Sequence, residues 1–183
     1  MVGFLVVDSR RLGWGRTGVG RTFTILALWV LAGGCRHAEL RDGVFTKPKV
    51  RYQIGELSPP WLGVSLRDND LAWNHKRDGH TIAVNSTCQG YEDVPLPILT
   101  RHLLVGFTNR ELLGEQLTTL DGREALRSHY AAELDGVPIE LLVVVMKKNG
   151  CIYDFTYVSP RHRFEEHLAD FERLVEQFRS EEP

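Results

Sequence analysis

Two histidines, His75 and His80, come closest in type and spacing to a metal site. They flank the turn Lys76-Arg77-Asp78-Gly79 and could face each other across a β-hairpin, and neutral imidazole is a common ligand of Zn²⁺. A zinc site needs at least three protein ligands, and the sequence offers no third ligand near this pair. We therefore predict no metal ion, with zinc at the hairpin as the less favoured alternative.

A second pair of histidines stands at the two ends of the run His162-Arg163-Phe164-Glu165-Glu166-His167. The run is similar to the H-x-x-E-H zinc motif, but one residue too many separates the histidines. Side chains five residues apart on a helix project about 140° apart, so they cannot bind one ion. We expect both histidines to be exposed on a helix.

No catalytic residue can be assigned from the sequence. The chain has no G-x-S-x-G motif, and neither Cys88 nor Cys151 has the local signature of a nucleophile. Asp68, Asp70 and Asp78 lack the spacing of an EF-hand calcium loop, so we interpret them as solvated loop acids. The sequence predicts no cofactor and favours a non-enzymatic protein, although catalytic groups can also converge from distant positions.

Three aromatic residues near predicted loops, Trp61, Trp73 and Tyr91, are candidates for partner binding. Large aromatic side chains often anchor protein interfaces. The alternative, which we favour for Trp61 and Trp73, is that they cap the hydrophobic core.

The amino-terminal segment has the pattern of an export signal. Basic residues precede an apolar stretch of about eleven residues, which ends in Leu31-Ala32-Gly33-Gly34-Cys35. This ending resembles the lipobox of bacterial lipoproteins, in which the signal is cut before an acylated cysteine. The resemblance implies a signal peptide over residues 1–34 and lipidation of Cys35. A cleaved secretory signal is less favoured, and so is a transmembrane anchor, because a span needs about 20 apolar residues.

Charge and the residue after the cysteine suggest where the protein acts. Residues 36–183 contain 18 Lys and Arg against 23 Asp and Glu, a formal charge of −5. An acidic domain argues against nucleic acid as a partner. It also argues against electrostatic binding to anionic lipid, so the acyl anchor alone would attach the protein to the lipid bilayer. Arg36 is not the aspartate that retains enteric lipoproteins at the inner membrane. By that resemblance, we favour the periplasmic face of the outer membrane.

Two cysteines, Cys88 and Cys151, remain after Cys35 and lie beside strand-like runs. An even pair in an exported protein favours a disulfide. Two buried free thiols are the alternative.

The pattern of elements predicts one α+β domain over residues 51–183, preceded by the lipidated cysteine and a flexible tether over residues 35–50. A helix over residues 95–105 precedes four strand candidates. Tight-hairpin dipeptides connect these strands: Asp121-Gly122, Asp135-Gly136 and Asn149-Gly150. The apolar run Ile139–Met146 predicts a central strand with both faces covered. A last helix is expected to begin at Ser159 and Pro160.

This order of strands, helix, four-strand meander and long helix is similar to the α/β/α sandwich of PsbP-like proteins. The resemblance covers about residues 52–179 and implies an antiparallel sheet covered by helices. Members of those families are mostly binding or assembly proteins, which favours a binding or assembly factor for an envelope protein. A small-ligand binder or hydrolytic enzyme, with a pocket between sheet and helix, is the alternative.

Replacement of Cys35 by alanine tests the anchor. Because the signal peptidase and the acyl transferases act at this cysteine, Cys35→Ala should leave the precursor uncleaved or misplaced and without lipid. Metabolic labelling with a fatty acid checks this expectation. Normal lipid labelling of the variant would contradict a lipid anchor at Cys35.

Overall fold

The computed structural model describes residues 38–67, 69–88 and 93–181, which form an α+β domain built mainly from antiparallel strands. The predicted signal peptide, Cys35 and Tyr91 lie outside the described residues. The helices are α1 (Leu96–Leu103) and α2 (Leu168–Glu176), with a 3₁₀ turn at Phe164–Glu166. The strands are β1 (Glu39–Arg41), β2 (Val44–Lys47), β3 (Val50–Gln53), β4 (Trp61–Val64), β5 (Leu71–His75), β6 (Thr81–Thr87), β7 (Phe107–Leu120), β8 (Arg123–Leu134), β9 (Val137–Lys148), β10 (Cys151–Pro160) and β11 (Arg179–Glu181).

The strands form two antiparallel sheets. The larger has the order β4-β5-β6-β10-β9-β8-β7, and the smaller has the order β1-β2-β3-β11. Strands β7 to β10 are the predicted meander. Both residues of each predicted turn have positive φ, for example 48° at Asp121 and 72° at Gly122, as type I′ hairpins require.

Strand β9 is buried on both faces, as its continuous apolar sequence predicts. Leu142, Val144 and Met146 belong to one hydrophobic cluster with Phe171 and Leu174 of α2, which we call the α2 core. The alternate residues of β9 belong to a second cluster, which we call the α1 core. It contains Leu141, Val143 and Val145 together with Leu96 and Leu99 of α1. Each helix therefore contributes to a different core, and β9 contributes to both.

The predicted tether is shorter than the sequence suggested. Residues from Glu39 onwards form β1, β2 and β3. Phe45 and Tyr52 are almost completely buried in the α2 core, and β11 pairs with β3 at the other side of the small sheet. Apolar residues such as Val44 and Phe45 are interspersed with charged residues and proline, so the segment reads as polar in sequence although it completes the core.

The predicted helix start at Ser159 and Pro160 is wrong. Both residues continue β10, where they pair with Glu140 and Ile139 of β9. The chain then turns through His162, whose φ is 69°, before the 3₁₀ turn and α2. The cross-strand pairing therefore overrides the local preference of Ser-Pro for a helix amino terminus.

Cys88 and Cys151 form a disulfide, as predicted. It joins the residue after β6 to the first residue of β10, and the Cα atoms are 4.0 Å apart. The bond closes a loop with a sequence separation of 63 residues. On the chain-entropy model, such a loop stabilises the fold by roughly 4 kcal/mol.

Close packing of α2 against the loop after β3 requires a glycine. A Cβ atom on Gly55 would lie 2.8 Å from the Cα atom of Leu174 and 3.1 Å from the carbonyl oxygen of Arg173. Both atoms belong to the backbone of α2, so they cannot move aside independently. Gly63 of β4, by contrast, has no heavy atom within 4 Å of the corresponding position.

Gly55→Ala should therefore destabilise the domain, while the matched variant Gly63→Ala should not. Overpacking of this kind typically costs about 1–3 kcal/mol. Urea unfolding followed by circular dichroism measures both variants. Equal free energies of unfolding for Gly55→Ala and the wild type would contradict the packing described for α2.

Candidate functional site

The β5–β6 hairpin brings His75 and His80 together. His75 ends β5, and His80 immediately precedes β6. The backbone N–H of His75 donates to the backbone carbonyl oxygen of His80 at 2.8 Å. Gly79 takes a φ of 78° in the turn between them. The hairpin therefore opposes the two histidines, as the sequence suggests.

His167 supplies the third imidazole, which the sequence did not reveal. It immediately precedes α2, and its ring centroid lies 3.9 Å from that of His75 and 4.7 Å from that of His80. The preceding 3₁₀ turn is fixed by Tyr157, whose hydroxyl donates to the Phe164 carbonyl oxygen at 2.9 Å. His162 is exposed, as expected, but it lies in the turn before the 3₁₀ turn, and His167 is only partly exposed and precedes α2, so neither histidine lies on a helix.

Asp78 lies at the centre of these three rings. Its Oδ1 accepts a hydrogen bond from His75 Nδ1 and lies 3.1 Å from His80 Nδ1. Its Oδ2 lies 3.2 Å from His167 Nε2 and 3.3 Å from a guanidinium nitrogen of Arg163. One ligand atom from each of the four residues lies within 4.8 Å of the others. We call His75, Asp78, His80 and His167 the histidine–aspartate cluster.

The cluster holds a negative charge in a nearly buried position. The Asp78 side chain is only 9% exposed, and burial by itself would raise the pKa of its carboxyl. Contacts with the surrounding imidazoles, first with His167, outweigh burial and hold this pKa well below its usual range. Asp78 is therefore an anion at neutral pH.

Trp61 and Asp170 form the wall of the cluster. The Trp61 ring contacts the rings of His75 and His167 edge-on, with centroid distances of 5.1 and 5.7 Å. Its Nε1–H donates to Asp170 Oδ2 at 2.9 Å, and the same oxygen lies 3.7 Å from His167 Nδ1. Partial burial raises the pKa of the Asp170 carboxyl, but hydrogen bonds from Trp61 and Arg173 lower it below the usual value.

The aromatic residues considered for partner binding differ in exposure. Trp61 is buried, which fits the alternative that it caps the core. Trp73 is half-buried and packs against the α2 core. Partner binding by Trp73 and Tyr91 stays a prediction.

The edge of the large sheet that lies opposite β4 is exposed. β7 is its last strand, and every residue from Thr108 to Thr119 is exposed. Leu112, Leu113 and Leu117 are about half exposed on this strand. Register shifts interrupt its pairing with β8 up to Gly114, and pairing is regular from Gly114 to Leu120. Within residues 38–67, 69–88 and 93–181, no strand pairs with the outer side of β7, and we call this strand, with that outer side, the β7 edge.

Cavities adjoin both helices. A groove of about 560 Å³ lies between α2 and β7–β9, and among the described residues its lining contains no histidine or cysteine. A smaller cavity of about 180 Å³ lies beside α1 and contains Asp154. Burial, together with the nearby charge of Asp70, raises the pKa of Asp154 to about 7.

Comparisons with known proteins identify the fold. No protein-family model matches the sequence, and a search of curated proteins finds no significant match. The solution structure of cyanobacterial PsbP from Synechocystis sp. PCC 6803 is similar, with a TM-score of 0.50, 14% identity and coverage of 79% of this chain and 91% of that chain. The domain therefore has a PsbP-like fold.

Two other solved structures are similar. LpqN of Mycobacterium tuberculosis, described as involved in cell envelope biogenesis, has a TM-score of 0.52 at 12% identity and covers 72% of this chain and 84% of that chain. PA94 of Pseudomonas aeruginosa, a protein of unknown function, has a TM-score of 0.50 at 11% identity. The match covers 68% of this chain and 94% of that chain. Identities this low show the fold alone.

Proposed function

We propose that this chain is a lipid-anchored protein of the bacterial envelope, with a PsbP-like α/β/α sandwich that binds or helps to assemble another envelope protein. Cys35 would carry the lipid on the periplasmic face, with the outer membrane favoured. The lipobox-like run that ends at Cys35 supports the anchor. Among the described residues, no helix is both long enough and apolar enough to span a bilayer.

The β7 edge is the observation that carries the proposed partner binding. A long outer strand with unpaired N–H and C=O groups is a template for a strand from another chain. The regular stretch Gly114–Leu120 offers this template, and Leu117, at 62% exposure, lies near its middle. An exposed leucine loses contact with water when a partner strand covers it, so its burial would stabilise the complex.

The similarity to LpqN supports the same class of function by analogy. LpqN is described as involved in cell envelope biogenesis, and its likeness to this chain is one of fold. The analogy agrees with an export signal and with a domain for which the sequence assigns no catalytic residue.

The alternative is a ligand-binding or hydrolytic protein that uses the groove between sheet and α2. Its volume of about 560 Å³ would suit a small ligand. Charged residues of both signs, Arg127, Glu172, Glu176 and Arg179, line it. The described lining has no histidine, cysteine or serine, and its Asp121 is paired with Lys148 at 2.7 Å, so it favours the partner-binding proposal over hydrolysis by such a nucleophile and base.

Site-specific photo-crosslinking in the native envelope tests the β7 edge. A benzophenone amino acid at Leu117 should give a discrete adduct with an envelope protein, because its side chain would lie beside side chains of the partner strand. The matched control is Leu62, which is 48% exposed on β4 at the opposite edge of the same sheet. Adducts of equal yield at both positions, or none at Leu117, would contradict partner binding at this edge.

A further inference from the structure

We propose that His75, Asp78, His80 and His167 bind one zinc ion, a function that goes beyond the partner binding proposed above. The four side chains come from the β5–β6 hairpin and the start of α2, and a ligand atom of each lies within 4.8 Å of the others. Three imidazole nitrogens and one carboxylate oxygen are ligands that Zn²⁺ accepts in tetrahedral sites.

The hydrogen bonds of His80 show why a cation is needed. Its Nε2 lies 3.0 Å from the carbonyl oxygen of Arg163, which can only accept, so Nε2 carries the proton. In the neutral ring, Nδ1 then presents a lone pair to Oδ1 of Asp78 at 3.1 Å. Two acceptors this close repel each other unless a cation binds both.

The side chain of His80 has no exposed surface, so water cannot separate its Nδ1 from Asp78. Asp78 already has a cationic partner in Arg163, at 3.3 Å. A metal ion removes the repulsion at Nδ1 while all three imidazoles stay neutral.

The surrounding groups are arranged as a second coordination shell. A metal-binding histidine usually donates its other ring N–H to a carbonyl or carboxylate oxygen. His80 does so to the Arg163 carbonyl oxygen, and Nδ1 of His167 faces Asp170 at 3.7 Å. Asp78 would be the one charged ligand of Zn²⁺, and Arg163 beside it is itself paired with Glu166 at 2.6 Å.

Distances and ligand types favour zinc. Tetrahedral bonds of about 2.0–2.1 Å place neighbouring ligand atoms about 3.3 Å apart. Asp78 Oδ1 lies 3.1 Å from His80 Nδ1, and Asp78 Oδ2 lies 3.2 Å from His167 Nε2, so each distance is close to this value, although binding through one oxygen requires the other contact to readjust. The wider pairs can close by rotation of His167, which is the most exposed ligand at 20%.

The proposed site is closed. All four tetrahedral positions are filled by protein side chains, and Trp61 covers His75 and His167. Catalytic zinc keeps a position open for water or substrate, whereas structural zinc has four protein ligands. The ion would therefore fasten the β5–β6 hairpin to the start of α2.

Zinc titration of the full chain, solubilised in detergent and produced without a histidine tag, tests the proposal. The wild type should bind one Zn²⁺ per chain in calorimetry. Asp78→Asn and His167→Gln should each weaken binding at least tenfold, since even outer-shell changes typically cost about 10–100-fold. The matched control is His129→Gln, because His129 is 24% exposed and contacts the Glu140 carboxylate at 3.2 Å but lies outside the cluster. This control should bind like the wild type.

X-ray absorption of the wild-type zinc complex provides a readout that does not depend on the variants. It should show nitrogen and oxygen ligands with imidazole scattering and no sulfur, since Cys88 and Cys151 are bonded to each other. A wild type without one-to-one binding, a sulfur-ligated ion, or Asp78→Asn and His167→Gln variants that are folded and bind with wild-type affinity would overturn the proposal. A sulfur-ligated ion, or folded variants that bind like the wild type, would place zinc elsewhere.

Discussion

The buried carboxylate of Asp78 is the interaction on which the C-terminal part of the fold depends. It contacts three imidazoles and one guanidinium, contributed by the β5–β6 hairpin and by the segment that leads into α2. Removal of one partner would leave a nearly buried charge incompletely satisfied, which is strongly unfavourable. The charge therefore fixes where α2 begins relative to the large sheet.

The position of α2 matters because β9 and β10 have no solvent-facing side. Phe171 and Leu174 of α2 cover the face on which Val144 and Phe155 lie. The far end of the same C-terminal segment is held by Asp121, which accepts from the Ser180 N–H at 2.8 Å and pairs with Lys148 at 2.7 Å. Two carboxylates thus hold the two ends of the segment that closes the α2 core. The free β7 edge lies at the other side of the sheet, so partner binding there would leave the cluster accessible to metal.

The local features of the chain were predictable from sequence. Asp-Gly and Asn-Gly turns specify the meander, and the apolar run in β9 specifies burial on both faces. The features that failed depend on distant contacts. Ser159 and Pro160 favour a helix start locally, yet pairing with β9 keeps them in a strand. His167 joins Asp78 across 89 residues of sequence, so no spacing rule could find it. The strands β2 and β3 were missed for a similar reason, since Phe45 and Tyr52 are buried by elements from the other end of the chain.

Hydrogen–deuterium exchange of the full chain, with a chelator and then with one equivalent of Zn²⁺, tests most directly whether the cluster fastens this segment. Exchange reports local opening, and a metal bound only by the folded site stabilises the elements that supply its ligands. We expect zinc to slow exchange in residues 75–80 and 161–176 and to leave the exposed β7 edge unchanged. Identical exchange of those two segments with and without zinc would contradict the account.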